Sequence, residues 1–391
     1  MKHKEYDIVV VGAGPGGSVI SRHLAQLNYR VLLLEKRKEV GIPVRCGEAS
    51  TSLKDMETFG PFDDDCIETV IDGLFVYGPG GTHLDVYKKN TGIMLNREKF
   101  DPCLARLAEK DGVELVLQAK CESISPVVSG YREIEVTSPL GKSKIKTKML
   151  VGADGIESLV GRMVGLKSLQ LHQHTCTGIN FEVEGILTEA NYLTFWQGQD
   201  FINDGYIWSF PKLKSNTTNF GAGYVIPKSK GKPIKEVTLE WLEKLFPGAK
   251  IKRITGGLIP VSGNLKDYVA DRLILVGDAA HHTNPLTGGG ISAAMKAGRE
   301  GALVIHQAFQ EQNFSKAFFK QYQDRCEKIF GKKHKSLLKF RRFLLGLPKN
   351  HQIEFYKVIK AFVENNYNYW ALLKHPILTI KSVYRYYKSS H

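Results

Sequence analysis

The chain has 391 residues, enough for two domains with substantial cores, and its 42% hydrophobic content is that of a globular protein. No stretch reaches ~18 uninterrupted apolar residues, which excludes an obvious membrane span, and the first strand begins within a few residues of Met1, which predicts a cytoplasmic protein without a signal peptide. The six cysteines are scattered with no Cys-x-x-Cys pair, implying neither a zinc ribbon nor a disulfide scaffold, and the net charge is +14.

The apolar run Tyr6 to Val11 predicts a strand that enters Gly12-Ala-Gly14-Pro-Gly16-Gly17 and then a helix. A second apolar run, Val31 to Leu34, ends at Glu35. In this context Gly12 allows a tight turn, Gly14 lets backbone approach a pyrophosphate, and Gly17 lets helix and strand pack closely. The amides at the helix start, at the positive end of its dipole, face the anion. Glu35 is placed to accept hydrogen bonds from ribose hydroxyls and disfavours a 2′-phosphate, so the loop reads as FAD or NAD.

Residues 67–95 alternate, with Leu74-Phe-Val-Tyr77 before Gly78-Pro-Gly-Gly81, and predict antiparallel strands outside the nucleotide domain. A helix–strand pattern resumes over 97–120, and Met149 to Gly155 reads as strand and turn. Short alternating runs from about 172 to 254, including Tyr206-Ile-Trp208-Ser-Phe210-Pro211, predict an inserted sheet domain. Leu273 to Val276 then leads into Gly277-Asp278-Ala279-Ala280, continuing to Gly288-Gly289-Gly290 and a helix over Ile291 to Phe309. Two glycine loops in this order point to FAD held by two parts of a discontinuous domain.

The remaining chain is predicted helical, with breaks at Gly346-Leu-Pro348 and His375-Pro376. Residues 312–391 hold 17 Lys and Arg against 4 Asp and Glu, and 16 of the 39 aromatic residues. Nearly all the net charge therefore lies in this tail. Basic and aromatic residues together suit an anionic membrane surface or nucleic acid; nucleic acid rests on charge alone, and a solvated helical surface is the plain alternative.

The expected fold class is α/β: a discontinuous Rossmann-like (glutathione-reductase-type) FAD domain, an inserted antiparallel β-sheet substrate domain and a C-terminal helical region. The expected limits are 1–66, 96–171 and 255–310 for the FAD domain, 67–95 and 172–254 for the substrate domain, and 311–391 for the basic helical region.

These residues resemble the flavin-dependent geranylgeranyl reductases, including the archaeal digeranylgeranylglycerophospholipid reductases, over roughly the first 310 residues. The resemblance rests on Gly12 to Gly17, Glu35-Lys-Arg37, Pro43-Val-Arg45-Cys46-Gly47-Glu48, Arg97 to Asp101, Gly152 to Gly155, Tyr206 to Pro211 and Gly277 to Gly290. The glycine motifs are shared with p-hydroxybenzoate-hydroxylase-like flavoproteins, whereas the Pro-Val-Arg-Cys-Gly-Glu run is much more specific to the reductases. Asn203 stands where the family's aromatic strand has a leading proline.

The resemblance implies FAD contacts from Arg45, Cys46, Gly47, Ala49, Arg97 and Ala119, a ribityl contact from Asp278, and amides of Gly289, Gly290 and Ile291 at the pyrimidine side of the flavin. The alternatives are a salt bridge for Arg97 and a helix N-cap for Asp278. Asp154 is expected to order its turn. The Cys46 loop is implied to lie beside flavin and substrate, where the thiol positions the alkene or relays a proton and Arg45 depresses its pKa; an inert buried cysteine is the alternative. Tyr206, Trp208 and Phe210 share a strand face and line an apolar tunnel for a prenyl chain, or form ordinary sheet core. His172, His174 and Cys176 lack a fourth partner for a metal, so no metal is expected, and His281-His282 reads as loop structure.

The implied activity is FAD-dependent reduction of isolated C=C bonds in geranylgeranyl chains during membrane lipid biosynthesis. It calls for a long-chain isoprenoid lipid, an external electron donor (NADPH, ferredoxin or a deazaflavin) and peripheral contact with an anionic membrane. Aromatic hydroxylation or halogenation, and non-catalytic prenyl-lipid binding, are the competing activities.

Overall fold

Two apolar runs near the N-terminus become neighbouring parallel strands because both of their faces are covered, which is where uninterrupted Val, Ile and Leu runs are stable. The computed structural model describes residues 1–168, 174–226 and 232–364. Its first strands are β1 (Glu5–Val11), β2 (Val31–Leu34), β3 (Ala49–Ser50), β4 (Ile67–Tyr77) and β5 (His83–Leu95). There follow β6 (Glu114–Val116), β7 (Lys120–Ile124), β8 (Arg132–Ser138) and β9 (Gly141–Gly152). The later strands are β10 (Thr175–Glu184), β11 (Leu193–Gly198), β12 (Ile202–Lys212), β13 (Thr217–Val225), β14 (Ile251–Pro260), β15 (Val269–Ala270) and β16 (Leu273–Leu275).

The helices are α1 (Pro15–Gln26), α2 (Leu53–Glu57), α3 (Arg97–Lys110), α4 (Leu159–Met163) and α5 (Ile234–Leu245). A longer C-terminal set comprises α6 (Ile291–Gln310), α7 (Lys316–Cys326), α8 (Lys332–Gly346) and α9 (Lys349–Glu364).

The first sheet has the order β15-β16-β9-β1-β2-β6, with β16, β9, β1, β2 and β6 parallel; β8 pairs antiparallel with the first half of β9, and β7 pairs antiparallel with β8. Ile8, Val9, Val10, Leu32, Leu33, Leu150 and Ile274 are fully buried in its core. Truncating one such leucine to alanine costs about 2–5 kcal/mol in general. Helix α1 packs on α6, so elements from opposite ends of the discontinuous domain share one layer.

The second sheet has the order β14-β10-β13-β12-β11-β4-β5-β3 and is antiparallel except where β11 runs parallel to β4. One face packs on α5 through Phe181, Ile207, Phe220 and Leu242. The other carries Trp208 and Phe210. This is the fold class that the sequence predicts.

Two limits differ. Ala49 and Ser50 pair with Met94 and Ile93, and β14 pairs with β10 as far as Pro260. Both segments therefore belong to the second sheet, although they fall inside the expected limits of the first domain. A two-residue edge strand carries no periodicity, and β14 reads through residue 254 because its pairing continues. The turn at Gly346-Leu-Pro348 separates α8 from α9 as expected. The break at His375-Pro376, and the tail beyond residue 364, lie outside the described residues.

Candidate active site

The first glycine loop leaves no room for side chains except where a ligand would pass. Gly12 has φ +104°, and a Cβ there would meet the Ala153 carbonyl oxygen at 2.3 Å. A Cβ on Gly17 would lie 1.9 Å from the Gly12 carbonyl oxygen. Gly14, at the start of α1, has nothing within 4 Å of the same position, so the cradle is open at this point. Glu35 lies against the loop: its Oε2 accepts from the Ala13 amide (3.0 Å) and its Oε1 from the Arg37 amide (2.9 Å). The Ala119 amide donates to the Glu35 backbone carbonyl (2.8 Å), bringing residue 119 beside the Glu35 main chain.

Gly16 joins the two loops, since its Cβ would meet Val276 Cγ1 at 2.9 Å and the Ala294 carbonyl at 3.2 Å. Gly17→Ala is expected to bind flavin about 10–100-fold more weakly, because overpacking of this kind costs about 1–3 kcal/mol. The flavin-to-protein absorbance ratio of purified variant checks this, and an unchanged ratio contradicts it.

In the second loop, Asp278 sits in a single tight turn, Gly277–Ala280, and accepts from Thr283 Oγ1 at 3.0 Å. Burial raises its carboxyl pKa, while Arg97 opposes that rise. A Cβ on Gly290 would meet Asp278 Oδ1 at 3.1 Å, so only glycine fits easily. Gly290 precedes α6, which opens at Ile291 without a side-chain cap. The Gly289 amide donates to Thr287 Oγ1 (3.3 Å), so it is already engaged. Asp154 Oδ2 accepts from the Val160 amide (2.9 Å) and orders the turn before α4.

His281 and His282 are fully buried behind this loop, and neither ring nitrogen of His282 has a hydrogen-bond partner. Tyr268 and Phe330 rings enclose His282, each with centroids 5.0 Å away. Burial lowers His281 to about 4 and His282 to about 3. The unfolded chain binds these protons near pH 6.5 and the folded chain does not, so stability falls as pH drops from about 6.5 toward those lower values. Each histidine is expected to cost about 2 kcal/mol by pH 5. Urea unfolding at pH 7 and 5 checks this: the pH 5 loss shrinks in His282→Leu, and an equal loss in both proteins removes His282 as a cause.

The loop from Pro43 to Glu48 is clamped between α3 and the second sheet. Glu48, 3% exposed and at φ +66°, is its hub. The Glu48 Oε2 accepts from Lys212 Nζ (3.0 Å) and Asn219 Nδ2 (3.1 Å), and its Oε1 from the Arg97 amide (3.1 Å). Asn219 Nδ2 also donates to the Cys46 carbonyl (3.0 Å), and its Oδ1 accepts from Trp208 Nε1 (2.9 Å). One amide thus ties the cysteine loop to the aromatic strand. Burial alone would lower the Lys212 pKa, but Glu48 and Glu182 carry it above its usual value.

Burial raises the Cys46 thiol pKa, with Arg97 opposing, so the sulfur is a protonated thiol at neutral pH. This corrects the sequence expectation in two ways. Arg45 is exposed and the cation acting on the thiol is Arg97; desolvation also outweighs that cation, so the pKa rises. Arg97 is engaged twice by Asp101, at 2.6 Å from each carboxylate oxygen, and its side chain is only 16% exposed. It is therefore an inward-held cation beside Cys46 and Asp278, not a surface salt bridge.

Tyr206, Trp208 and Phe210 lie on one face of β12, in ring contact with one another, and Gly47 abuts them: its Cβ would lie 3.3 Å from Phe210 Cε2. Ala49 packs against the same cluster. Tyr206 Oη donates to the Thr287 carbonyl, linking this face to the second glycine loop. The register shows what lies beside each ring. Tyr206 pairs with Gly223, which pairs with Gly178, which pairs with Gly257. Four strands thus meet in a row of one ring and three glycines, over which the side chains of Cys176, Ile259 and Arg45 pack closely. The next row is Trp208, Gly221, Asn180 and Thr255, and Gly221 admits the indole flush against the backbone.

Lys212, Asn219, Glu48 and the glycine row escaped the sequence reading. Glycines inside strand patterns mark close approach, so Gly221-Ala-Gly223 and Gly256-Gly257 carried that signal; the partners of Glu48 had none. His172 lies outside the described residues. Burial, with Arg342 and Arg341 nearby, lowers the His174 pKa, and among the described residues no metal-ligand grouping includes His174 or Cys176.

A glycine cradle built from two distant loops, facing an aromatic sheet across a cysteine loop, defines a flavin-dependent oxidoreductase. Residues 7–371 match the family described as lycopene cyclase protein. The digeranylgeranylglycerophospholipid reductase of Methanococcus vannielii is 34% identical over 354 residues, 89% of this chain and 88% of that protein. Digeranylgeranylglycerophospholipid reductase 1 of Methanococcoides burtonii is 33% identical, covering 84% of this chain and 81% of its own. A geranylgeranyl bacteriochlorophyll reductase-like structure from Thermoplasma acidophilum superposes with a TM-score of 0.86 at 28% identity, covering 95% of both chains. The chain belongs to the digeranylgeranylglycerophospholipid reductase family.

Proposed function

We propose that this protein is an FAD-dependent reductase that saturates isolated C=C bonds in the geranylgeranyl chains of a glycerophospholipid. The observation that carries this reading is the placement of Cys46, half-buried beside Arg97 in the loop whose Gly47 abuts Trp208 and Phe210. Gly12, Gly14, Gly16 and Gly17 would hold the pyrophosphate, Glu35 and Ala119 the adenosine, and Asp278, Gly290 and Ile291 the isoalloxazine end. The open position at Gly14 and the inward carboxyl of Asp278 fit that cofactor.

The bound cofactor, once reduced, supplies a hydride to one alkene carbon. An unactivated alkene is a poor hydride acceptor, so a proton must reach the other carbon in the same event. Cys46 Sγ–H supplies that proton, and Arg97 stabilises the thiolate left behind until solvent reprotonates it. Tyr206, Trp208 and Phe210 hold the chain and exclude water.

The test is anaerobic incubation of the reduced enzyme with a geranylgeranyl glycerophospholipid, followed by mass spectrometry. A gain of two hydrogens per double bond supports the reading. An oxygen-requiring hydroxylation or halogenation, or no turnover of bound flavin, overturns it. The electron donor is one of NADPH, ferredoxin or a deazaflavin, separable by which of them reduces the enzyme.

The basic tail fits a lipid-borne substrate, since each Lys or Arg near an anionic leaflet contributes about 1 kcal/mol. No described helix is long and apolar enough to cross a membrane. The protein is expected to pellet with anionic vesicles at low salt and to be released at high salt; failure to pellet removes the docking reading.

A further inference from the structure

Two buried cysteines take no part in the site above. Cys66 closes the short turn Asp64–Cys66 just before β4, and Cys103 lies on α3. They are 0% and 4% exposed, whereas Asp63, which opens the turn, is exposed. The Cys66 amide donates to the Asp63 carbonyl (2.9 Å), which brings residues 63 and 66 together. Both sulfurs and one carboxylate oxygen of Asp63 lie within 4.8 Å of one another.

Tetrahedral zinc has bonds of about 2.3 Å to sulfur and about 2.1 Å to oxygen, so its ligand atoms sit roughly 3.5–4 Å apart. The three atoms are within a small adjustment of that spacing. Arg106 Nη2 donates to Asp63 Oδ2 (3.1 Å), which orients the carboxylate and leaves its other oxygen available. A divalent ion with two thiolates and a carboxylate carries a net charge of −1, and Arg106 balances it. The exposed Asp63 side gives the ion its entry path and a water as fourth ligand. Both cysteines also sit in the core cluster around Phe100 and Leu104, but among the described residues no other three ligand-bearing side chains converge in this way.

We propose that Asp63, Cys66 and Cys103 bind a thiolate-preferring divalent cation of the zinc type, with water completing the shell. Binding releases the two thiol protons to solvent and involves no redox change. The ion clamps the turn before β4 to α3, the helix whose first residue, Arg97, faces Cys46.

The test measures metal in the flavin-loaded protein, purified under reducing conditions, supplied with zinc and dialysed. About one zinc per chain is expected, with a loss to near zero in Cys66→Ser and Cys103→Ser and no change in Cys121→Ser. Asp63→Asn, a surface change that spares the core, is expected to weaken zinc by at least about tenfold, the lower end of what losing even an outer-shell partner costs. Retained flavin absorbance reports folding of each variant. Cobalt added to the parent is expected to give a thiolate-to-metal absorption band in the difference spectrum. Absence of bound metal and of that band in the parent overturns the proposal. So does zinc that survives both cysteine substitutions, or a parent mass two hydrogens lower from a Cys66–Cys103 disulfide.

Discussion

Cys46→Ala retains flavin and reduces alkene saturation by about 10²–10⁴-fold, the range a positioned proton donor contributes. The expectation follows from two features of the loop. The thiol is held protonated by burial, so it is a donor at neutral pH, and Arg97 lies where the resulting negative charge would form. Flavin retention follows because the cradle is made by Gly12 to Gly17 and the Asp278 loop, which the substitution does not touch. Single-turnover reduction of a prenyl lipid, with flavin content measured alongside, checks both parts. Cys46→Ser separates acidity from space: it keeps the volume but replaces the thiol with a far weaker acid, so it is expected to resemble Cys46→Ala. Parent-like turnover in either variant removes Cys46 from the mechanism.

Lys212→Met destabilises the protein by about 3–5 kcal/mol, because it strands the Glu48 carboxylate in a site where both partners are 3% exposed. Asn219 and the Arg97 amide still donate to Glu48, but neither supplies a compensating charge. Removing the charge as well, in Lys212→Met with Glu48→Gln, is expected to recover most of the loss, since a matched neutral pair carries no buried ion. Urea midpoints of the parent, the single and the double variant measure it. A single variant as stable as the parent, or a double variant no better than the single, means that the ion pair is not what holds the cysteine loop to the sheet.

Much of the architecture was legible because it is written in local patterns. The run Tyr6 to Val11, the glycines after it and Glu35 form a continuous strand–turn–helix–strand signal, and the structure assembles them in that order. The alternation through Tyr206, Trp208 and Phe210 places their rings on one face because side chains alternate along any strand. The Cys46 loop was legible as a motif, but its chemistry was not. Arg45 is adjacent in sequence and faces outward, whereas the cation beside the thiol is Arg97, 51 positions later. Likewise Glu48 shows no sign in the sequence of Lys212 or Asn219, which lie on two other strands.

The sequence by itself determined a flavin cradle, a sheet with an aromatic strand and a tail carrying nearly all the net charge, because each depends on residue order, periodicity or composition. Only the tertiary structure decided that burial raises the Cys46 thiol pKa, that Glu48 anchors its loop through a buried ion pair, and that Gly223, Gly178 and Gly257 lie in one row beside Tyr206. Those properties depend on desolvation and on cross-strand register, which bring together residues up to 171 positions apart in the chain.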